Sequence, residues 1–290
     1  MGIGGVLLRR LAGAAFLPGA WLQSRFQGGI RILMYHRVSP APVYDQLTVT
    51  PERFARQMEY LRRHCRILGL AQAVDELRSS EFVRSGIVVT FDDGYRDNLE
   101  FALPILRRFE IPATIFVTTA FCDQTARHPR YPESPERLHL DWHEVRELAN
   151  TPGISIGSHT LTHPYLSRTT DTQASVEICS SKDRLASEVQ GPVDYFCYPS
   201  GDVTEREQQM VQSAGYRAAV TVAPGVNACG VALHALRRTE ITDRDGVVDL
   251  FMKVKGAYDP IHRLLHWRRR RSFAKAATAA RLGVASGANK

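Results

Sequence analysis

Cysteine is scarce in this chain: five residues among 290, at Cys65, Cys122, Cys179, Cys197 and Cys229, with no C-x-x-C pair. A scattered, odd-numbered set argues against both a disulfide framework and a thiolate zinc site, and it favours a reducing compartment. Long apolar runs are also lacking. The most apolar stretch near the N-terminus, residues 11–22, is interrupted by Pro18 and is too short to span a bilayer. No small-x-small cleavage site follows it, so an amphipathic segment lying on a membrane is preferred to an export signal. Internal repeats, low-complexity linkers and nucleic-acid-binding motifs are missing too, which argues against a solenoid and leaves nucleic acid as an unexpected partner.

What is present suits a folded domain. Hydrophobic residues make up 44% and charged residues 23%, enough for a sizeable core. The net charge of +7 is uneven. His266-Trp267-Arg268-Arg269-Arg270-Arg271, then Lys275 and Arg281, make the last part of the chain strongly basic. Such a tail suits anionic headgroups; a solvated basic helix end is the plainer alternative. The organisation read from this is an N-terminal amphipathic or membrane-associated segment over 1–29, one domain over 30–256, and a basic tail over 257–290. The protein is expected to be cytoplasmic and membrane-associated, with the cell envelope as the alternative.

From residue 30 onward, apolar strands alternate with helical patterns. Strands are expected at 30–34, 86–91, 113–117, 154–156, 195–198, 218–222 and 236–241. Thr50 with Pro51 opens a helix whose Phe54, Met58 and Leu61 share a face. A helix over 98–109 should be kinked by Pro104. Asp141 with Glu144, and Thr204 with Glu207, form capping-box patterns. The alternation predicts a parallel sheet covered by helices, barrel or open, with chemistry at the carboxyl ends of the strands.

Three polar clusters sit at such ends. Asp92 and Asp93 leave the strand 86–91 side by side, followed by Gly94. Two adjacent carboxylates repel unless a cation or donors compensate, so one can serve as ligand and the other as base; which does which the pair leaves open. His159 and His163, four apart after the next strand end, suit a zinc-type site that a carboxylate completes. Taken separately, a turn Asp pair and two ordinary histidines would be the simpler explanation; their coincidence at two strand ends favours a site. The third cluster, Phe196 to Asp202, contains a Pro199 turn whose backbone N–H groups suit an oxyanion.

Together the segments Thr90-Phe91-Asp92-Asp93-Gly94, His159-Thr160-Leu161-Thr162-His163 and Tyr198-Pro199 resemble the polysaccharide deacetylases of carbohydrate esterase family four. The resemblance extends through Leu33–Val38, Ala102–Leu106 and Ile111–Val117 over about residues 30 to 245. Its nearest match is the bacterial exopolysaccharide and poly-N-acetylglucosamine branch, which begins with a Tyr-His segment. It implies a distorted, incomplete (β/α) barrel of about seven parallel strands in a single domain. It also implies one divalent ion, zinc before cobalt or nickel, bound by Asp93, His159 and His163. Asp92 would be the general base, the Ser200 N–H an oxyanion donor and His36 the general acid, with His234 as the alternative acid. Tyr95, Tyr198, Pro199 and Trp142 are candidates for substrate contact, and the implied substrate is an N-acetylated glycan. Two rival functions are a hydrolase of a formamide or cyclic amide, and a catalytically silent glycan-binding barrel.

The chain departs from the family pattern where Cys197 stands in place of an arginine that holds the base. That arginine is therefore expected to be missing. Asp141-Trp142 matches only the end of a further motif, and helix capping is the preferred role for Asp141.

Overall fold

The computed structural model describes residues 10–11, 13–19, 28–40, 45–79, 82–131 and 136–267. The expected basic run from Arg268 onward, and most of the segment 1–29, lie outside these residues.

Seven parallel strands form the central sheet. In chain order the elements are β1 (Ile30–Tyr35), β2 (Arg37–Val38), β3 (Thr48–Val49), α1 (Pro51–His64), α2 (Leu70–Ser79) and β4 (Gly86–Phe91). Next come α3 (Leu103–Arg108), β5 (Ala113–Val117), α4 (Thr119–Cys122), α5 (Trp142–Ala149), β6 (Ile154–Ser158) and α6 (Asp171–Val189). The chain continues with β7 (Tyr195–Cys197), α7 (Glu205–Ser213), β8 (Ala218–Val220), β9 (Arg238–Glu240) and α8 (Val247–Val254). The spatial order is β8-β7-β6-β5-β4-β1-β9, with β2 and β3 paired separately. β4 reads as an unbroken apolar run because both its faces are covered.

The sheet is nearly closed. β9 pairs with β1, while Leu236, just before it, bridges Val220 of β8. One segment thus touches both edges of the sheet, giving the incomplete barrel expected. The strand expected over 236–241 is only Arg238–Glu240, because its flanking residues are used in this closure.

Local signals account for most helix starts. The Thr50 hydroxyl accepts the Arg53 N–H at 3.4 Å, and Phe54, Met58 and Leu61 bury one face. Asp141 and Glu144 form a reciprocal capping box on α5. The helix expected over 98–109 is instead a π-turn at Asn98–Ala102 running into α3. Pro104 lies in the first turn of α3, where its missing N–H costs nothing, so it starts that helix instead of kinking a longer one.

Ala257 and Tyr258 are buried, packing with Met252, and Asp259 pairs with Arg31 of β1. The N-terminal helical residues are docked as well: Arg10 pairs with buried Asp249 of α8. Apolar packing and ion pairs thus hold these residues against the sheet and α8. No helix among the described residues is long and apolar enough to cross a membrane.

Candidate active site

Three loops at the carboxyl ends of β4, β6 and β7 converge on one cleft of about 750 Å³. Each contains residues in the left-handed backbone region: Asp93 (φ 70°) and Gly94 (φ 64°), Thr160 (φ 70°) and His163 (φ 64°), Ser200 (φ 55°) and Gly201 (φ 66°). A β-branched residue such as Thr160 enters this region only when its surroundings demand it, and such strain clusters at functional sites. Here Thr160 Oγ1 accepts the His163 N–H at 3.0 Å. Glu177 of α6 accepts the backbone N–H groups of Leu161 and Thr162 at 2.9 and 2.8 Å, pinning the turn.

These loops bring Asp93, His159 and His163 together. Oδ1 of Asp93 lies 3.2 Å from His159 Nε2 and 3.4 Å from His163 Nε2. Donors each about 2.0–2.1 Å from a shared tetrahedral ion are separated by roughly 3.3 Å, so each of these two separations fits a shared cation. The tautomer agrees. His159 Nδ1 lies 2.8 Å from the Cys197 carbonyl, which only accepts, so Nδ1 carries a proton and Nε2 is the nitrogen turned to Asp93. Metal-binding imidazoles are commonly fixed in this manner. Burial alone would raise the Asp93 carboxyl, but His159 and His163 hold it well below the usual carboxylate range. Burial opposes a positive charge on His159 too, yet the Cys197 thiol and Asp93 carboxylate raise its pKa well above the ordinary value.

Asp92 is held differently. Arg238 of β9 grips it with both nitrogens, Nη1 to Oδ1 at 2.6 Å and Nη2 to Oδ2 at 2.7 Å. The expectation that no arginine holds Asp92 is therefore overturned. The guanidinium arrives from the closing strand, and it also reaches Cys197 Sγ at 3.1 Å. Burial pushes the Asp92 carboxyl up, and Arg238 brings it below the ordinary value, so it is anionic at neutral pH.

A family model for polysaccharide deacetylase matches residues 80–219. A putative polysaccharide deacetylase of Bacillus subtilis (strain 168) is 28% identical over 229 residues, 77% of this chain and 75% of its own. A deacetylase of Streptococcus pyogenes, solved in complex with acetate, superimposes with a TM-score of 0.68 at 24% identity, covering 78% of this chain and 98% of that one. A putative polysaccharide deacetylase of Bacillus anthracis gives a TM-score of 0.66 at 25% identity, covering 79% and 70%. This chain carries a polysaccharide deacetylase domain. The loops just described all lie within the matched segment, whereas Arg238 lies outside it.

Within the deacetylase domain the remaining sequence candidates separate. His36 and Ser200 line the cleft with Asp92, Asp93, His159 and His163. His36 Nδ1 is buried with no hydrogen-bond partner among the described residues, and Asn98 Nδ2 holds its carbonyl at 2.9 Å. His234 is elsewhere: its Nε2 lies 2.9 Å from the Tyr216 carbonyl, and its own carbonyl accepts the Tyr198 hydroxyl at 3.0 Å. Tyr95, Tyr198 and Pro199 are buried and do not line the cleft. The Trp142 indole donates to Asp123 at 2.6 Å and stacks with Arg184, also away from the lining. These four candidates therefore sit in the wall or beside it, because apolar bulk next to a barrel mouth is taken first by the core.

Three participants in the deacetylase site were not anticipated. Arg238 had no motif around it. Glu177 looks like any helix-surface acid until the β6 loop folds over it. His128, in the loop after α4, puts Nε2 3.6 Å from Asp93 Oδ2. Burial is the main reason that its pKa falls to about 4.

Proposed function

We propose that the chain removes N-acetyl groups from an N-acetylated sugar or polysaccharide, in exopolysaccharide or other cell-envelope glycan synthesis, using one divalent ion. The observation that carries this reading is the division of labour between two adjacent buried carboxylates. Asp93 faces the Nε2 atoms of two imidazoles, and Asp92 is clamped by a guanidinium. Asp93, His159 and His163 would hold the ion, with zinc preferred over cobalt or nickel for its affinity for imidazole and carboxylate. When bound, the ion polarises the acetamide carbonyl and lowers the pKa of water towards neutrality.

Asp92 takes the proton of the attacking water as oxygen adds to the acetamide carbon. Arg238 keeps that carboxylate ionised and aimed. The Ser200 loop presents backbone to the developing oxyanion, a role needing no particular side chain. His36 gives a proton to the amine nitrogen as the C–N bond breaks, leaving acetate and a free amino sugar. His36 is favoured over His234 because it lines the cleft.

Acetate release from a panel of N-acetylglucosamine oligomers, with and without chelator, tests the reading. Activity should require the metal. Asp92→Asn should retain metal and lose turnover by about 10²–10⁴, and normal turnover in that variant would refute the base assignment. Formamide or cyclic amide cleavage with no acetate release would point to the rival hydrolase.

The enzyme would work on the cytoplasmic side, docked peripherally on a membrane. Supporting this, Leu264, Leu265 and Trp267 are exposed, Leu265 and His266 border the cleft, and the sequence runs on into Arg268–Arg271. The five cysteines are all free, in keeping with a reducing compartment.

A further inference from the structure

Three imidazoles surround Asp93, but they do not offer it the same atom. His159 and His163 face Oδ1, at 3.2 and 3.4 Å. His128 faces the other oxygen, Oδ2, at 3.6 Å. The donor atoms of Asp93, His128 and His163 all lie within 4.8 Å of one another, so by position alone His128 would pass for a further ligand.

Its tautomer says otherwise. His128 Nδ1 accepts the backbone N–H of Arg130 at 3.1 Å. A nitrogen accepting a hydrogen bond carries no proton, so the neutral ring bears its proton on Nε2. That nitrogen has no lone pair to give to a cation. His159 is the converse case, with Nδ1 committed to the Cys197 carbonyl and Nε2 facing Asp93. The His128 ring has little freedom to turn over. It packs against Phe121, Tyr95, Tyr131 and His163, with centroids 5.9, 6.1, 6.0 and 5.2 Å away. The side chain is only 11% exposed and it borders the cleft.

We propose that His128 is a positioning residue for the cation site: its Nε2–H engages Oδ2 of Asp93 and commits that carboxylate to bind through Oδ1, the oxygen facing His159 and His163. A free Oδ2 would let the carboxylate rotate or bind through both oxygens, at the expense of the open position that a hydrolytic site keeps for water. The 3.6 Å separation is longer than a formed hydrogen bond, and closing it takes a movement of about half an ångström. Hydrogen-bond partners that orient a ligand typically change metal affinity by about 10–100-fold when removed. This inference rests on the metal reading of Asp93, His159 and His163.

The test is metal affinity measured by competition with a chromophoric chelator, together with X-ray absorption on the cobalt-loaded full chain. Wild type should bind one cobalt with two imidazoles. His128→Phe should lower affinity about 10–100-fold, with two imidazoles still counted. His128→Gln, which retains an N–H donor, should recover most of the loss. Circular dichroism of both variants guards against misfolding. Three imidazoles in wild type, falling to two in His128→Phe, would make His128 a ligand and overturn the proposal. Unchanged affinity in His128→Phe, or a loss that Gln does not recover, would overturn it as well. Failure of wild type to bind cobalt at all would instead refute the metal reading beneath it.

Discussion

Arg238 uses all five of its N–H donors inside the barrel. Nε donates to the Thr221 carbonyl at 2.8 Å, Nη1 to Thr90 Oγ1 at 3.2 Å and Asp92 Oδ1, and Nη2 to Asp92 Oδ2 and Cys197 Sγ. A buried ion pair that loses one partner leaves an uncompensated charge and costs about 3–5 kcal/mol. Arg238→Met should therefore lower stability by that amount and reduce kcat by at least about 100-fold, as expected when a base loses its setting, while bound metal is retained. In an Asp92→Asn background the same change should cost little further activity, and part of the stability should return. A double-mutant cycle on denaturant midpoints and kcat reads both effects; additive losses would refute the coupling.

At the scale of elements, a strand and a helix start show how packing and charge hold the site loops. Gly157 lies in β6 two residues before His159. A Cβ there would meet the Phe116 ring of β5 at 2.5 and 2.6 Å and the Tyr195 carbonyl of β7 at 3.0 Å. Gly157→Ala should cost about 1–3 kcal/mol, the usual penalty of overpacking, read from the urea midpoint. The start of α5 is governed by Glu144. Burial would raise this carboxyl, but Arg137, the Asp141 N–H and Arg96 bring it down to about 2 from an ordinary 4.5. A depressed carboxyl contributes its stability above its unfolded pKa and loses it as pH falls through the folded value. The stability difference between wild type and Glu144→Gln should thus be full above pH 4.5 and shrink towards zero near pH 2. A difference independent of pH across that window would exclude a role for the Glu144 charge.

At the scale of the whole molecule, the closing segment and the terminal helices decide what the cleft faces. Arg10 with Asp249 and Arg31 with Asp259 tie both ends of the described chain to the barrel. The exposed Leu264, Leu265 and Trp267 then lie beside the cleft border. The protein should co-sediment with vesicles containing anionic lipid. Leu265→Ser with Trp267→Ser should reduce that binding severalfold, and added salt should weaken it, since each basic residue near such a surface contributes about 1 kcal/mol that screening removes. Binding to neutral vesicles that is indifferent to salt would argue against the basic tail.

Much of this was readable from residue order, and the reason is locality. Asp92-Asp93-Gly94 and the His159–His163 turn are short motifs whose chemistry lies within a few residues of a strand end. Capping at Thr50 and Asp141, and the buried face of Phe54, Met58 and Leu61, are equally local, set by hydrogen bonds and periodicity within one or two turns. The clamp on Asp92 was not readable. It comes from residue 238, across the barrel closure, and the local motif offers only Cys197 where an arginine was expected. Nor could composition assign Tyr95, Tyr198 and Trp142 to wall or cleft, since bulky rings serve both. Sequence thus determined the fold class, the pair of carboxylates and the imidazoles that meet them. Tertiary structure decided which cation holds the base, which histidines share its cleft and which nitrogen each turns inward. Those outcomes depend on contacts between segments distant in the chain, which residue order does not encode one by one.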